Sequence, residues 1–493
     1  MGRGLAVSWT CPGLAEAVTR ATFASLDAAL LLGYAALTLA IGFWKRRRTD
    51  EDYLVGGRAL GLPAFVATVV ATWYGGILGV GEMTYRYGLI NWTTQGIPYY
   101  IMAVVFALTL AGKIRSASLY TIPDKLHEVH GRGAALVGAV CAFIMTTPAP
   151  YILMVGQLAH IVTGWPLLPA MIVGMLLSVI YVYVGGFQSD VRINVFQFLL
   201  MFGGFLVALP IVAARSGGMD RLLTDLPGDH LRLDGGLGPG YVFVWFFVAI
   251  WTIVDPGFHQ RCYAARTPQI ARRGILIAVL CWMLFDMLTI TTGLFARAVM
   301  PDLKGAEAGY AYPLLAERLL PPGVKALFFI AMLATVMSTV VSYTFLGGMT
   351  IGRDFIWRLT GGPIERVTSL TRAGLAATSL IAIVVASAIP SAVQQWWAIG
   401  TVCVPAMLPA VVTSYAPRWK VGPGWTTIGM IGGGGTALAC LAAAWFRHGF
   451  GAEMSDSSLF PFGLQPMYPG LAASAAVYGA GRLFQRVRLH SGS

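Results

Sequence analysis

Along the chain, apolar runs of about 20 residues alternate with short polar stretches, and none shows the every-second-residue alternation of a barrel strand. Thirteen runs can be marked: 25–44, 61–81, 95–112, 134–157, 166–185, 193–214, 240–256, 274–296, 323–350, 373–389, 393–415, 424–446 and 467–481. Each is near the roughly 17–25 residues that a helix needs to cross a bilayer, where only helices and closed barrels satisfy their own backbone. The pattern predicts an all-α membrane protein of about 13 transmembrane helices. No hydrophilic stretch is long enough for a second, soluble domain.

Composition agrees: 57% of the residues are hydrophobic and 11% charged, against about 25% charged in a soluble domain, and the mean hydropathy is +0.70. The net charge of +12 does not point to nucleic acid, because the basic residues sit in loops between apolar runs rather than on one face. Placing the N-terminus outside puts about two-thirds of the lysines and arginines on the cytoplasmic side, with Lys45, Arg46, Arg47 and Arg48 directly after the first run as the strongest vote. The C-terminus is then inside. Acidic residues gather in two outer loops, Asp220, Asp225, Asp229 and Asp234 in one and Asp302, Glu307 and Glu317 in the other, either as solvated loop residues or as attractors of cations. Residues 1–24, with Arg3, Glu16 and Arg20, form an extracytoplasmic segment without a long apolar stretch, so insertion is expected to rely on the first run. Cys11, Cys141, Cys262, Cys281, Cys403 and Cys440 make no CxxC pair and read as packing residues.

Polar groups at membrane depth are costly and therefore informative. The second run holds Thr68, Thr72, Trp73, Tyr74, Gly75 and Gly76 near its middle, and the ninth clusters Thr335, Ser338, Thr339 and Ser342. Counted at 1.5 Å per residue, Thr72 lies roughly 16 Å from the cytoplasmic end of its run and Ser338 roughly 22 Å from the outer end of its own. Both reach mid-depth. Glycine pairs weaken helices, and a broken helix frees carbonyls that join hydroxyls as oxygen ligands for a small hard cation. The same residues also suit close packing between helices, and spacing alone leaves both readings open.

Five motifs in order, Asp52-Tyr53-Leu54-Val55-Gly56-Gly57-Arg58, Ala71 to Gly88 ending Tyr85-Arg86-Tyr87-Gly88, Thr121-Ile122-Pro123-Asp124, Asp255-Pro256 with Gln260-Arg261, and Ala334-Thr335-Val336-Met337-Ser338-Thr339, resemble the sodium:solute symporter family over roughly residues 45–420. The resemblance implies a LeuT-like core of two inverted five-helix repeats, about 61–214 and 240–415 within residues 45–415. One peripheral helix at 25–44 would precede it, and two accessory helices with a short cytoplasmic tail, 416–493, would follow. It implies a symporter of a small organic solute, with sodium as the coupling ion, no organic cofactor, and a bacterial inner membrane as its place. By that likeness Val69 and Thr72 with Thr335, Ser338 and Thr339 would hold sodium. Where relatives carry an aspartate on the ion exit path this chain has Asn194; Asp190, one turn away, could substitute for it unless Arg192 pairs with it. The substitution keeps a proton-driven or uncoupled carrier in view.

Trp73, Tyr74, Gly75, Gln95, Tyr99, Gln157, Trp245, Phe247 and Trp251 are candidates for a substrate pocket of ring faces and few charges, though aromatic residues also anchor and pack membrane helices. No arginine stands clearly at mid-depth by this count, which argues mildly against a dedicated carboxylate clamp, although the end of a broken helix can hold a carboxylate unaided. Asp286 and Glu82 could each relay protons or gate the path, or be hydrogen-bonded structural acids, and Glu82 reads as interfacial. Tyr53 to Arg58 and Gln260-Arg261 are expected at the cytoplasmic face as turn or gate elements. A sensor would need an output domain, for which about ten residues after the last run are too few. No G-x-S-x-G, H-E-x-x-H, P-loop or His/Cys metal cluster occurs, so neither an enzyme nor a primary pump is expected. The expected partners are a small solute and lipid, without nucleic acid, and the oligomeric state is left open.

Overall fold

The structure, a computed structural model, describes residues 21–44, 49–361, 363, 366–389, 391–449 and 457–491. Arg3, Cys11, Glu16, Arg20 and the topological signal Lys45 to Arg48 lie outside the described residues. Among the described residues the regular structure is helical, and the β contact is an isolated bridge between Leu60 and Ala265.

Eleven helices are long and apolar enough to cross a membrane, and a bent pair supplies a twelfth span. In chain order they are α1 (Ser25–Phe43), the bent pair α2 (Leu62–Trp73) and α3 (Ile77–Tyr87), α4 (Trp92–Ala117), α5 (Ile122–Thr163), α6 (Leu167–Gly185) and α7 (Phe187–Arg215). Then come α8 (Pro239–Ala264), α9 (Pro268–Val299), α10 (Val324–Thr360), α11 (Arg366–Ala388), α12 (Ala392–Tyr415) and α13 (Pro423–His448). The thirteenth apolar run also folds as a helix, α14 (Met467–Ser491), but is not apolar enough to count as a span by the same measure. It packs along α13, where Gly470 leaves room for the Gly433 carbonyl.

Two spans break at mid-depth for different local reasons. Between α2 and α3 the axis turns by 57° across Tyr74-Gly75-Gly76, where two glycines cost little to take out of helical geometry. Within α8 the helix runs Pro239–Val248, takes a short turn at Trp251–Val254, and restarts as Pro256–Ala264. Pro256 forces the residue before it out of helical geometry, and Asp255 is extended with ψ 119°. The Asp255 carboxylate caps the new helix by accepting from Phe258 N at 2.9 Å. Every residue of Pro256–Ala264 is buried, whereas none of Pro239–Val248 is. One half of this span is packed shut and the other is loose.

Several motifs are joints between elements. Gly56 and Gly57 both take φ of +63°, and the turn they make lets Arg58 Nη1 donate to the Leu119 carbonyl at 3.0 Å and the Tyr263 carbonyl at 3.3 Å. Asp124 accepts from the Thr121 amide at 3.2 Å and pairs with Arg353 and Arg358 at 2.6 Å, tying the start of α5 to the end of α10. Gly88, at φ +71°, lies so close to the His230 backbone that a Cβ there would meet its carbonyl at 2.1 Å. His230 Nε2 bonds the Tyr85 carbonyl at 3.0 Å, and burial pushes its pKa below the ordinary histidine value. The 216–238 loop is thus held down on α3.

Neighbouring glycines on α7 separate packing from helix propensity. A Cβ on Gly204 would meet the Ala331 Cβ of α10 at 2.3 Å, while one on Gly203 would meet nothing within 4 Å. Gly204→Val is expected to lower stability by about 1–3 kcal/mol and Gly203→Val to have little effect, read as unfolding midpoints of the purified protein in detergent; equal effects would refute the assigned α7–α10 contact.

Candidate functional site

The end of α2 leaves its last carbonyls without helical partners, and α10 crosses beside it. Ser338 Oγ donates to the Ala71 carbonyl at 2.8 Å and to that of Thr335 at 2.7 Å, and Thr339 Oγ1 donates to the Thr72 carbonyl at 2.7 Å. Gly75 makes this approach possible, since a Cβ there would meet Thr339 Oγ1 at 2.1 Å. Thr335 turns its own hydroxyl back to the Ala331 carbonyl at 2.7 Å, so its free contribution is the carbonyl. Val69, Thr72, Thr335, Ser338 and Thr339 are all buried. The structure therefore assembles carbonyl and hydroxyl oxygens without nitrogen or sulfur, a donor set that suits a hard monovalent or divalent cation.

One turn further along α10 lies a second polar cluster. Arg261, 1% exposed, donates through Nη2 to Asp190 Oδ2 at 2.8 Å, Ser342 Oγ at 2.7 Å and Thr72 Oγ1 at 3.0 Å. Ser342 Oγ donates to Asp190 Oδ1 at 2.6 Å, and Asn194 Nδ2 donates to the same oxygen at 3.0 Å. Asn194 also reaches Ser342 Oγ at 3.1 Å, while its Oδ1 is buried without a protein hydrogen-bond partner among the described residues.

Gln260-Arg261 is buried among the helices, three residues before the span ends at Ala264, so an arginine stands inside the bundle. The physical reason is the break at Asp255-Pro256, which restarts the helix and carries nine further residues within the bundle. The partner of Asp190 is Arg261, while Arg192 donates to Ser189 Oγ at 2.9 Å.

Around the α2–α3 break lies a cavity of about 160 Å³. Trp73, Tyr74, Gln95, Tyr99, Trp245 and Trp251 from the sequence reading line it. Asp286 lies on the same wall, its two oxygens taken by the Tyr74 and Tyr100 hydroxyls, and Tyr74 also bonds Thr289 Oγ1 at 2.8 Å. Trp396 from α12 can lie against the break because Gly76 has no side chain; a Cβ there would meet its ring at 2.5 Å.

The other candidates stand elsewhere. Gly75 backs the cavity and faces Thr339 rather than lining it. Phe247 turns away, packing edge-on against Tyr468 of α14 at 5.2 Å, because it lies on the face of its helix toward the accessory pair. Gln157 does not line the cavity and stands beside Tyr310. Glu82 pairs with Arg86 at 2.9 Å with both side chains about one-third exposed. Tyr100, Tyr151, Trp282, Tyr343 and Trp396 were not anticipated, since nothing in local spacing distinguishes a ring facing a cavity from one facing a neighbour. Ser342 was legible as the next turn of the Ser338 face.

Two spans broken beside a shared mid-depth cavity, with hydroxyls of a third span aimed at one break, define a membrane carrier of the broken-helix type. The chain belongs to the sodium:solute symporter family, which it matches over residues 53–413. It is 24% identical to the sodium/pantothenate symporter of Escherichia coli (strain K12), over 69% of this chain and 74% of that protein. It is 24% identical to the sodium/glucose cotransporter of Vibrio parahaemolyticus over 64% and 66% of the two chains, and to the human high affinity choline transporter over 62% and 57%. Among solved structures, a sodium-coupled sialic acid symporter in a substrate-bound outward-open state superposes with a TM-score of 0.78, 17% identity and coverage of 94% of this chain and 98% of that one. A nucleobase-cation-symport-1 family transporter in a closed conformation gives 0.57, at 11% identity, over 89% and 95%. The fold is therefore the LeuT-like one of inverted repeats.

The buried ion pair supplies a direct test. Arg261→Met is expected to destabilise the protein by about 3–5 kcal/mol by leaving Asp190 uncompensated, and adding Asp190→Asn should recover most of that loss. Thermal unfolding of the single and double variants measures it; additive losses would show that the two side chains are not coupled.

Proposed function

We propose that this protein is a sodium-coupled secondary active transporter that imports a small organic solute by alternating access. The observation that carries the reading is the convergence of Ser338 and Thr339 on the carbonyls at the broken end of α2, beside the cavity. Sodium would be held there by the carbonyls of Val69, Thr72 and Thr335 and the hydroxyls of Ser338 and Thr339, whose protons turn aside to present lone pairs. Its charge would then tie α10 to the break that shapes the solute cavity, so that ion and solute each favour the other's binding.

The repeats would span about 61–214 and 240–415, with residues 25–44 and 416–493 outside them. With α14 counted as a thirteenth crossing, the N-terminus outside and the C-terminus in the cytoplasm, the loose half of α8 would face outward and the packed half inward, which supports an outward-facing arrangement. Asp190, Asn194, Ser342 and Arg261 lie on the inward side of the ion ligands and would form the exit path, closed by the Arg261–Asp190 pair. A bacterial inner membrane is the proposed place, and transport rather than catalysis the proposed role.

The driving force suffices. One charge crossing ~100 mV gives ~2.3 kcal/mol, and a tenfold sodium gradient adds ~1.4, enough for accumulation of a few hundredfold. A carrier not tied to sodium is the second reading, favoured by Arg261, which neutralises the acid on the exit path.

The test is uptake of labelled amino acids, sugars, amines and carboxylic acids into proteoliposomes, with and without an inward sodium gradient. Sodium-dependent uptake is expected, with Ser338→Ala raising the half-saturating sodium concentration roughly tenfold through loss of one ligand worth about 1.4 kcal/mol. Uptake indifferent both to sodium and to Ser338→Ala would overturn sodium coupling and favour the second reading.

A further inference from the structure

The lining of the central cavity carries information about its occupant beyond the family's general role. Eleven of its twenty lining residues are tryptophan or tyrosine, one is an acid, Asp286, and none is Lys, Arg or His. The rings come from separate elements. Trp73 sits edge-on to Tyr99 at 5.8 Å and near Trp282 at 6.2 Å, while Tyr151 packs against Tyr343 at 5.5 Å and Trp396 at 5.7 Å.

Part of the polar wall is committed. Tyr74 and Tyr100 donate to Asp286, Tyr343 and the Trp251 indole donate to Asp255 at 3.2 and 3.0 Å, and Asn91 donates to Thr84 Oγ1 at 2.9 Å. Asn91 Oδ1 and the Trp396 indole are buried without a partner among the described residues, so the wall also offers neutral hydrogen bonds. A carboxylate would meet a buried acid and no cation. Arg261 does not line the cavity; it reaches only a separate space of about 10 Å³ beneath Trp73 and Tyr343, and its charge is matched by Asp190.

We propose that the solute carried in this cavity is a small organic cation, held over the faces of Trp73, Tyr99, Trp251, Trp282 and Trp396 with Asp286 as its counter-charge. Aromatic faces attract a desolvated ammonium by about 0.5–2 kcal/mol each, most strongly at Trp. The two tyrosines hold Asp286 at the wall, where its ionised form would supply the counter-charge. The cavity, at about 160 Å³, is below the ~300–1,000 Å³ typical of sites for drug-sized ligands, so the cation is compact, of the size of an alkylated ammonium group with a short substituent.

This inference rests on the reading of the chain as a solute carrier, and its test is separable from that of sodium coupling. The full-length protein in nanodiscs, in sodium buffer and again in potassium buffer, is titrated by tryptophan fluorescence with tetramethylammonium, choline, and the carbon isostere of choline in which a quaternary carbon replaces the nitrogen. Glucose and acetate serve as neutral and anionic comparators. At least one of the two cations is expected to bind roughly tenfold or more tightly than the isostere, from loss of cation–π and ionic attraction alone. Asp286→Asn and Trp73→Leu should each weaken that binding by about tenfold, with Trp73→Phe retaining most of it. The wild-type comparison of cation with isostere decides the question even where a variant fails to fold.

Equal binding of the isostere, binding of glucose or acetate in preference to both cations, or binding by neither cation would overturn the proposal. Any of these results alongside sodium-driven uptake of another solute would leave the carrier reading standing. Cation binding without sodium-dependent uptake would support the substrate class and count against sodium coupling alone.

Discussion

A helix that stops halfway through a bilayer leaves carbonyls that neither water nor lipid can satisfy, and the architecture is organised around one such stop. The end of α2 is tolerated because α10 brings Ser338 and Thr339 to the Ala71 and Thr72 carbonyls. That contact in turn demands Gly75 at the break and a small-residue seam elsewhere on α10, such as its approach to Gly204 of α7. An oxygen-rich point at mid-depth is thus both the repair of a broken helix and the natural place for a cation. Structural necessity and the proposed ion binding would draw on the same atoms.

The second constraint is charge. Arg261 and Asp190 are 1% and 0% exposed, and neither would be stable there alone. Their pairing spans α8 and α7 and also engages Thr72 and Ser342, so the packed half of α8 is held by ionic as well as apolar contacts. The other half of the same span is less buried, with Trp245 on the cavity wall and Phe247 against the accessory helix. The bundle is therefore tight on one side of the break and open to movement on the other, as a carrier with two gates requires.

How much was legible from sequence follows from what each feature depends on. Span positions depend on runs of apolar residues against a bilayer of fixed thickness, and they are local. The break at Tyr74-Gly75-Gly76 and the cap at Asp255-Pro256 are also local, through glycine and proline backbone preferences. The pairing of Arg261 with Asp190 could not be read, because an ion pair with a residue 71 positions away leaves no mark on its neighbours in the chain. Phe247 was placed in the pocket because an aromatic ring looks the same in sequence whichever side of its helix meets the cavity.

By itself the sequence determined that this is a helical membrane protein, where twelve of its thirteen apolar runs cross, that the second is weakened at Gly75-Gly76, and which hydroxyl cluster lies at a similar depth. These follow from hydropathy, backbone freedom and a rise of 1.5 Å per residue, all properties of short segments. Only the tertiary structure decided that Arg261 answers Asp190, that Asp286 is held by Tyr74 and Tyr100, and that rings from six or more separate elements close on one cavity lined by an acid and by no basic residue. Such facts belong to contacts between distant segments, and the orientation of each helix about its own axis, which sets those contacts, is resolved only when the whole bundle packs.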